Sequence, residues 1–354
     1  MKFGWWLVCV QNRIVGGRHS FLIKTTHMQL CVLIRTHQGE QAAALPALLA
    51  SLISAHDNKA GTARCATNHD AIGEPPLQVI ADVLSMDGDE AQASATHARV
   101  LALSREPFFA PRAGFRIRAH RRASDAHMHQ HLWARCGEGK RATLDCGRRR
   151  AGIPLPRNDS CGYLQTDIAL ERLLARGGGT SAASSTGGNV SFVDPSGGTG
   201  TGEVGSRPCD YVLVTNGDNL YARALFSHAC PLMARRAGLI GWFFSTHYNH
   251  PHIYVAQGRT ERAGPNTLFR TKLKKTWVDL GAVMIRADLL RAPGRHTPAR
   301  GIASSTAHPS THTTTPQLFT DCGPWREADG RLIERLVKAN TSAHVLDRLL
   351  FLHQ

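Results

Sequence analysis

The stretch that decides the fold reads Asp210-Tyr-Val-Leu-Val-Thr-Asn-Gly-Asp-Asn-Leu-Tyr221. Its apolar first half predicts a buried strand, and that strand ends directly in Asn216-Gly-Asp-Asn219. An Asn-Gly pair is a strong hairpin signal, but residues 221–236 have a helical pattern instead of a returning strand. Oxygen-bearing side chains at a strand end can also hold a hard cation such as Mg²⁺ or Mn²⁺, with substrate phosphates completing its shell. The pattern favours a metal site over a hairpin.

Other apolar runs place this stretch in an alternating series of strands and helices. Strands are predicted at 29–35, 77–83, 211–215, 239–245, 278–285 and 345–352. Between them, residues 45–53 have helical spacing, Thr166 is a candidate N-cap, and Asp329 can cap a helix that carries Leu332 and Leu336. Alternating strands and helices predict a Rossmann-like α/β fold with a mostly parallel central sheet flanked by helices. Ligands bind such sheets at the carboxyl ends of their strands.

The charge is strongly positive but unevenly placed. The 354 residues carry 42 Lys and Arg against 27 Asp and Glu, a net charge of +15. A basic balance first suggests nucleic acid, but residues 105–157 alone hold 13 basic and 4 acidic residues. This stretch has no interleaved aromatics and no known nucleic-acid-binding motif. We therefore expect an irregular basic insertion and no specific nucleic-acid partner.

The chain is predicted to form one domain enlarged by insertions. Residues 1–28 are an N-terminal extension, and a single domain follows at 29–354, with irregular insertions at 105–160, 177–207 and 291–316. The last two segments are rich in Gly, Ser, Thr or Pro, a composition typical of loops and linkers. No transmembrane segment is expected, because the longest apolar run, 42–55, is too short to span a bilayer. The nine irregularly spaced cysteines predict mostly free thiols.

Several segments, in order along the chain, resemble the glycosyltransferases with the A-type nucleotide-diphospho-sugar transferase fold, in particular family 2. The resemblance covers residues 29–354. It rests on Cys31-Val-Leu-Ile-Arg-Thr36, Val79-Ile-Ala-Asp82, Gly162-Tyr-Leu-Gln-Thr-Asp-Ile-Ala-Leu170, Asn216-Gly-Asp218, Trp277-Val-Asp-Leu-Gly-Ala282, Trp325-Arg-Glu-Ala-Asp-Gly330 and His353. Asn216-Gly-Asp218 is similar to the D-x-D motif of the family, with an amide in place of the first acid.

The resemblance implies transfer of a sugar from a nucleotide-diphospho-sugar donor to a hydroxyl of a glycan, protein or lipid, assisted by Mn²⁺ or Mg²⁺. It implies three metal ligands (Asn216, Asp218 and His353) and five donor-binding residues (Arg35, Thr36, Asp82, Asp167 and Asp279). If the reaction inverts the anomeric centre, a carboxylate must act as general base, and Asp329 is the first candidate, with Glu327 second. Such enzymes commonly work in the Golgi or secretory pathway, although no anchor is visible and a cytoplasmic location stays open.

Simpler interpretations accompany these roles. Asp329 can be a helix N-cap, Asp279 can cap the junction between strand and loop, and His353 can be a frayed residue near the chain end. Two other functions also stay open. One is a basic nucleic-acid-binding α/β protein, and the other is a non-catalytic member of the glycosyltransferase fold, suggested by Asn216.

Overall fold

The computed structural model describes residues 28–36, 40–62, 77–86, 90–111, 114–120, 163–175, 207–246, 267–275, 277–291, 319, 328–339 and 341–353. Within these residues one nine-stranded sheet forms the centre of the protein. Its strands are β1 Gln29–Thr36, β2 Gln78–Ser85, β3 Phe115–His120, β4 Tyr211–Asn216, β5 Leu220–Tyr221, β6 Leu239–Thr246, β7 Thr267–Phe269, β8 Val283–Arg286 and β9 Ala343–His353.

The strand order is β3-β2-β1-β4-β8-β6-β9-β5, with β7 paired to β6. Strands β3, β2, β1 and β4 are parallel neighbours, and β6 is parallel to β9. Strand β8 runs antiparallel to both β4 and β6, and the short strands β5 and β7 are antiparallel to their partners. The predicted α/β fold with a mostly parallel sheet is confirmed.

Helices cover both faces of this sheet. They are α1 Glu40–Thr62, α2 Glu90–Leu103, α3 Tyr163–Ala175, α4 Leu225–Ala234, α5 Ala287–Arg291 and α6 Ala328–Lys338. Side chains from α1, α2 and α4 pack with one sheet face, whereas those of α3, α5 and α6 pack with the other. The sequence of β1 is apolar at successive positions because both of its faces are buried: Leu30, Val32 and Ile34 face the first layer, and Cys31 and Leu33 face the second.

The residues after β4 do not form a hairpin. Strand β4 ends at Asn216, a turn follows at 217–218, and β5 pairs with β9 instead of returning along β4. Helix α4 then begins at Leu225. The hairpin alternative is therefore wrong, and the polar residues 216–219 lie at the carboxyl edge of the sheet.

Two other expectations about the fold need correction. Residues 115–120 of the predicted 105–160 insertion form β3, a parallel edge strand paired with β2. The positive residues Arg116 and Arg118 hid it, because an edge strand can present polar side chains to solvent. Helix α3 begins at Tyr163, so Thr166 lies inside the helix, where it is buried, and not at its N-cap. The insertions at 177–207 and 291–316 lie outside the described residues except at 207 and 291.

The prediction of mostly free thiols is wrong for Cys31 and Cys209, which form a disulfide. It joins Cys31, the third residue of β1, to the segment that leads into β4, with Cα atoms 5.7 Å apart. Cys230 in α4 is disulfide-bonded as well. Irregular spacing hid the pair, because cysteines that are far apart in sequence become neighbours only when β1 and β4 pair.

None of the described helices combines the length and apolar character that crossing a membrane requires.

Candidate active site

Arg35 and Asn216 lie side by side where β1 and β4 end. They are register partners in the parallel pair, so their side chains emerge on the same sheet face. The Nε and Nη2 groups of Arg35 both donate to the Asn216 amide oxygen Oδ1, at 3.1 and 2.7 Å. The guanidinium also lies 5.4 Å from the ring centroid of Tyr163 at the start of α3, within range of a cation–π contact. These contacts fix a partly exposed cation at the carboxyl edge.

The turn after β4 is packed tightly against the end of β1. The Gly217 N–H donates to the Arg35 carbonyl at 2.7 Å. A Cβ at Gly217 would lie 2.9 Å from the Thr36 hydroxyl oxygen and 3.2 Å from the Gln41 carbonyl. Glycine is therefore required here by lack of space. Thr36 is completely buried beside this glycine, so its side chain packs against the turn.

Asp218 follows in a buried position with unused acceptor capacity. Its Oδ1 is shielded from solvent and accepts no hydrogen bond within the described residues. Burial raises the pKa of the Asp218 carboxyl, whereas a hydrogen bond from the Gln41 side chain and the proximity of His353 oppose the rise. A buried carboxylate oxygen without a donor carries a large desolvation cost, so this atom is suited to a cation or a donor from a ligand.

Asp279 and His353 belong to one group of contacts. Asp279 precedes the 3-10 helix Leu280–Ala282, and its Oδ1 accepts the Gly281 N–H at 2.8 Å. Its Oδ2 lies 3.4 Å from Nδ1 of His353. The capping interpretation of Asp279 is confirmed. His353 pairs with Thr246 at the end of β9 and stacks on Phe351, so the interpretation as a frayed terminal residue is wrong.

Asp329 lies in the first turn of α6, one residue after the helix begins, and not at its N-cap. Burial raises the pKa of the Asp329 carboxyl to about 6, and the Asp279 carboxylate contributes to the rise. The Gly330 N–H, 2.8 Å from Oδ1, and the charge of Arg35 act in the opposite direction. Asp329 is thus close enough to both Asp279 and Arg35 to sense their charges.

The described structure therefore gathers six of the predicted residues at one edge of the sheet: Arg35, Asn216, Asp218, Asp279, Asp329 and His353. Glu327 lies outside the described residues. Two predicted donor-binding residues are engaged elsewhere. Asp82 is buried three residues before the end of β2, within hydrogen-bonding distance of His120 Nε2 at 2.5 Å. The strand predicted at 77–83 extends two residues further, to Ser85. Asp167 is buried in α3 and accepts the Phe319 N–H at 2.8 Å.

Sequence reasoning missed Gln41 and Tyr163 as parts of this edge. Gln41 follows the first residue of α1, and Tyr163 opens α3. Both are first-turn residues of helices whose predicted starts lay several positions later. Correct helix boundaries would have placed them next to the strand ends, but boundaries are the least reliable part of a sequence-based assignment.

The predicted metal site fits only in part. Among the described residues no three His, Cys, Asp or Glu side chains form a group that could hold a metal ion. The Asn216 oxygen already accepts two hydrogen bonds from Arg35, so Asn216 does not fit as a ligand. Asp218 does fit, because Mg²⁺ and related ions are often held by one or two carboxylates together with substrate phosphates.

No protein-family model and no curated protein matches the chain. The chain does match solved structures of other proteins, at low identity. These include S. aureus TarS 1-349 in complex with UDP-GlcNAc, with a TM-score of 0.37, 11% identity, and 92% of this chain and 58% of that chain covered. The complex of TarS 1-349 with UDP gives a TM-score of 0.36 and 10% identity, with 92% of this chain and 60% of that chain covered. Mouse xyloside xylosyltransferase 1 in its apo form gives a TM-score of 0.32 and 12% identity, with 91% of this chain and 86% of that chain covered. The chain thus spans less than two thirds of the TarS structures that it matches.

Proposed function

We propose that this protein is a glycosyltransferase that moves a sugar from a nucleotide-diphospho-sugar donor to a hydroxyl acceptor. The observation that supports this function best is the group of Arg35, Asp218, Asp279 and Asp329 at the carboxyl edge of a mostly parallel sheet, where such folds bind ligands. This transfer needs a cation that can bind phosphate. It also needs carboxylates that can bind a metal or accept a proton. Residues 29–354 would form the single catalytic domain, preceded by the extension 1–28.

Donor binding is assigned to the part of this edge around β1 and β4. Asp218 would hold the divalent ion, Mn²⁺ or Mg²⁺, through its unpartnered Oδ1. When bound, the ion neutralises charge on the leaving diphosphate. Asp279 and His353 are close enough to Asp218 for their charges to affect the pKa of its carboxyl. We propose that these two residues orient the sugar side of the donor.

We assign the role of general base, which accepts the proton of the acceptor hydroxyl, to Asp329. In an inverting reaction the hydroxyl oxygen forms a bond to the anomeric carbon while the bond from that carbon to the diphosphate oxygen breaks. The proton passes to the Asp329 carboxylate, and the nucleoside diphosphate leaves with the bonding electrons. A pKa of about 6 suits this role, because the carboxylate is ionised at neutral pH yet more basic than an ordinary aspartate. Acceptors of the glycan, protein or lipid class all supply such a hydroxyl.

The test is turnover of common nucleotide sugars, with Mn²⁺ present or chelated by EDTA. Wild type, Asp218→Ala and the control Asp347→Ala are compared, since Asp347 is exposed on β9. Removal of a group that stabilises a leaving diphosphate is expected to lower turnover by about a hundredfold or more. The control is expected to match wild type.

Unchanged turnover in Asp218→Ala would remove the metal role from this residue. No turnover by wild type with any common donor would favour a non-catalytic member of the fold. Binding of nucleic acid that depends on residues 105–157 would favour the basic nucleic-acid-binding alternative.

A further inference from the structure

The amide at position 216 has an electrostatic consequence for Arg35. Both hydrogen bonds between the two side chains end on one neutral oxygen. They hold the Nε–Nη2 edge of the guanidinium in a fixed direction. Guanidinium carries five N–H donors, so donors on Nη1 and the second donor on Nη2 stay available, and within the described residues they make no hydrogen bond.

An aspartate at this position would give a different site. A carboxylate opposite the same edge would form a bidentate ion pair with Arg35, and the pair would carry no net charge. The Asn216 amide provides the same hold while it leaves the full positive charge in place. Its Nδ2 group is an N–H donor, where a carboxylate would have a second acceptor oxygen.

The surroundings make this difference matter. Asp329 is close enough to Arg35 for the guanidinium to oppose the rise of the Asp329 pKa. Asp218 and Asp279 lie at the same edge. Two phosphate groups entering among three carboxylates need a positive charge that no protein carboxylate has already neutralised. Tyr163 supports the cation through its ring face, which does not cancel the charge.

We propose that Asn216 is a positioning residue, not a metal ligand, and that it holds Arg35 as an uncancelled cation which binds the phosphates of the donor. This inference rests on the proposed function for the identity of the donor. The binding of a diphosphate by Arg35 can be measured independently of any transfer reaction.

The experiment titrates inorganic pyrophosphate into the full chain by calorimetry, in EDTA, for wild type, Asn216→Ala and Asn216→Asp. We expect wild type to bind without a metal. Asn216→Asp should bind at least about tenfold more weakly, because its carboxylate cancels the charge of Arg35, and the loss for the phosphate is about that of one hydrogen bond to a charged group. Asn216→Ala should lie between them, because Arg35 loses its hold but keeps its charge.

The order of the variants separates this role from a structural one. Aspartate is nearly the same shape as asparagine and keeps both bonds to Arg35, so a purely structural role makes Asn216→Asp the milder change. Arg35→Gln is expected to abolish binding, and Asn216→Asp should have little further effect in that background. Melting temperatures of all variants confirm that they are folded.

The inference is overturned if wild type does not bind pyrophosphate in EDTA. It is also overturned if the Asn216→Asp variant binds pyrophosphate as well as wild type does. Binding of pyrophosphate in the expected order, together with a failure to bind or turn over any nucleotide sugar, would keep the inference and reject the proposed function. The two failures are therefore distinguishable.

Discussion

Asp279 connects the start of the 3-10 helix to the last strand. Its Oδ1 accepts the Gly281 N–H at 2.8 Å while its Oδ2 lies 3.4 Å from His353 Nδ1. The two carboxylate oxygens thus have separate partners on β9 and on the segment before β8. One side chain fixes the relative position of two elements that border the candidate site.

The first prediction separates the two oxygens of Asp279. Asp279→Ala removes the cap and is expected to lower the free energy of unfolding by about 1 kcal/mol, the usual effect of losing a capping side chain. Asp279→Asn retains an oxygen for Gly281 and should lose much less. Urea unfolding measures both, with Asp347→Ala as the control. Equal destabilisation by Ala and Asn would contradict the capping role.

The second prediction concerns the space at Gly217. Gly217→Ala places a Cβ against Thr36 and the Gln41 carbonyl, and backbone cannot yield as a flexible side chain does. Overpacking of this kind costs about 1–3 kcal/mol, and the movement of Asp218 should also weaken binding of the nucleotide donor. Gly241→Ala is the matched control, because the three atoms nearest to its new Cβ all belong to side chains, the first being Leu273 Cδ2 at 3.1 Å. Equal stability of the two variants would show that the turn has room.

The third prediction follows from the raised pKa of Asp329. If the carboxylate is the base, kcat/KM falls as the pH is lowered through about 6, because the group becomes protonated. Asp329→Asn should lose about 10²–10⁴-fold of the transfer rate together with that limb of the pH profile. A variant that keeps the limb would assign the titration to another group.

The same shift has the opposite sign for stability. A folded-state pKa of about 6 lies above the ordinary aspartate value, so the folded protein binds more protons than the unfolded chain at pH 4–6. The stabilising effect of protonation is therefore present at low pH and is lost as the pH rises through about 6. Asp329→Asn should melt about 2–4 °C higher than wild type at pH 7.5, for a gain of about 1 kcal/mol in the free energy of unfolding. A lower melting temperature at that pH would contradict the buried-carboxyl interpretation.

The sequence was sufficient to predict the position of a strand wherever that strand is a continuous apolar run. Strands β1, β4 and β6 were predicted within a residue or two of their ends, because both faces are buried and no polar pattern interrupts them. Strand β3 was missed since its arginines, at an exposed edge, resemble a basic loop. The segment predicted as one strand at 278–285 is divided by the turn that Asp279 caps.

The site was predictable to the extent that its residues follow strand ends. Asn216 and Asp218 were singled out because polar residues at the end of an apolar strand are visible in the sequence, whereas Arg35 and His353 came from the family resemblance. The partner of Asn216 was not predicted, since the contact with Arg35 depends on β1 and β4 being parallel neighbours in a register that pairs these two residues. The contact of Asp82 with His120 was not predicted, because it depends on β3.

The fourth prediction concerns the Cys31–Cys209 disulfide. Its sequence separation is 178, and closing so long a loop restricts the unfolded chain by about 5 kcal/mol in the chain-entropy account. The double variant Cys31→Ala, Cys209→Ala should therefore unfold at a clearly lower urea concentration under oxidising conditions. With reductant present, wild type should approach the variant. Thiol labelling of the unfolded, unreduced protein should leave both cysteines unmodified in wild type.

The disulfide also determines what a cut in the backbone can do. Every peptide bond between Cys31 and Cys209 lies inside a covalent ring, so a protease that cleaves any one of them leaves a single molecule. The two pieces would migrate together until a reducing agent is added. After a cut between Arg35 and Cys209, Arg35 would remain linked through the Cys31–Cys209 bond to the piece that carries Asn216. A preparation that looks intact without reductant can therefore already be two polypeptides.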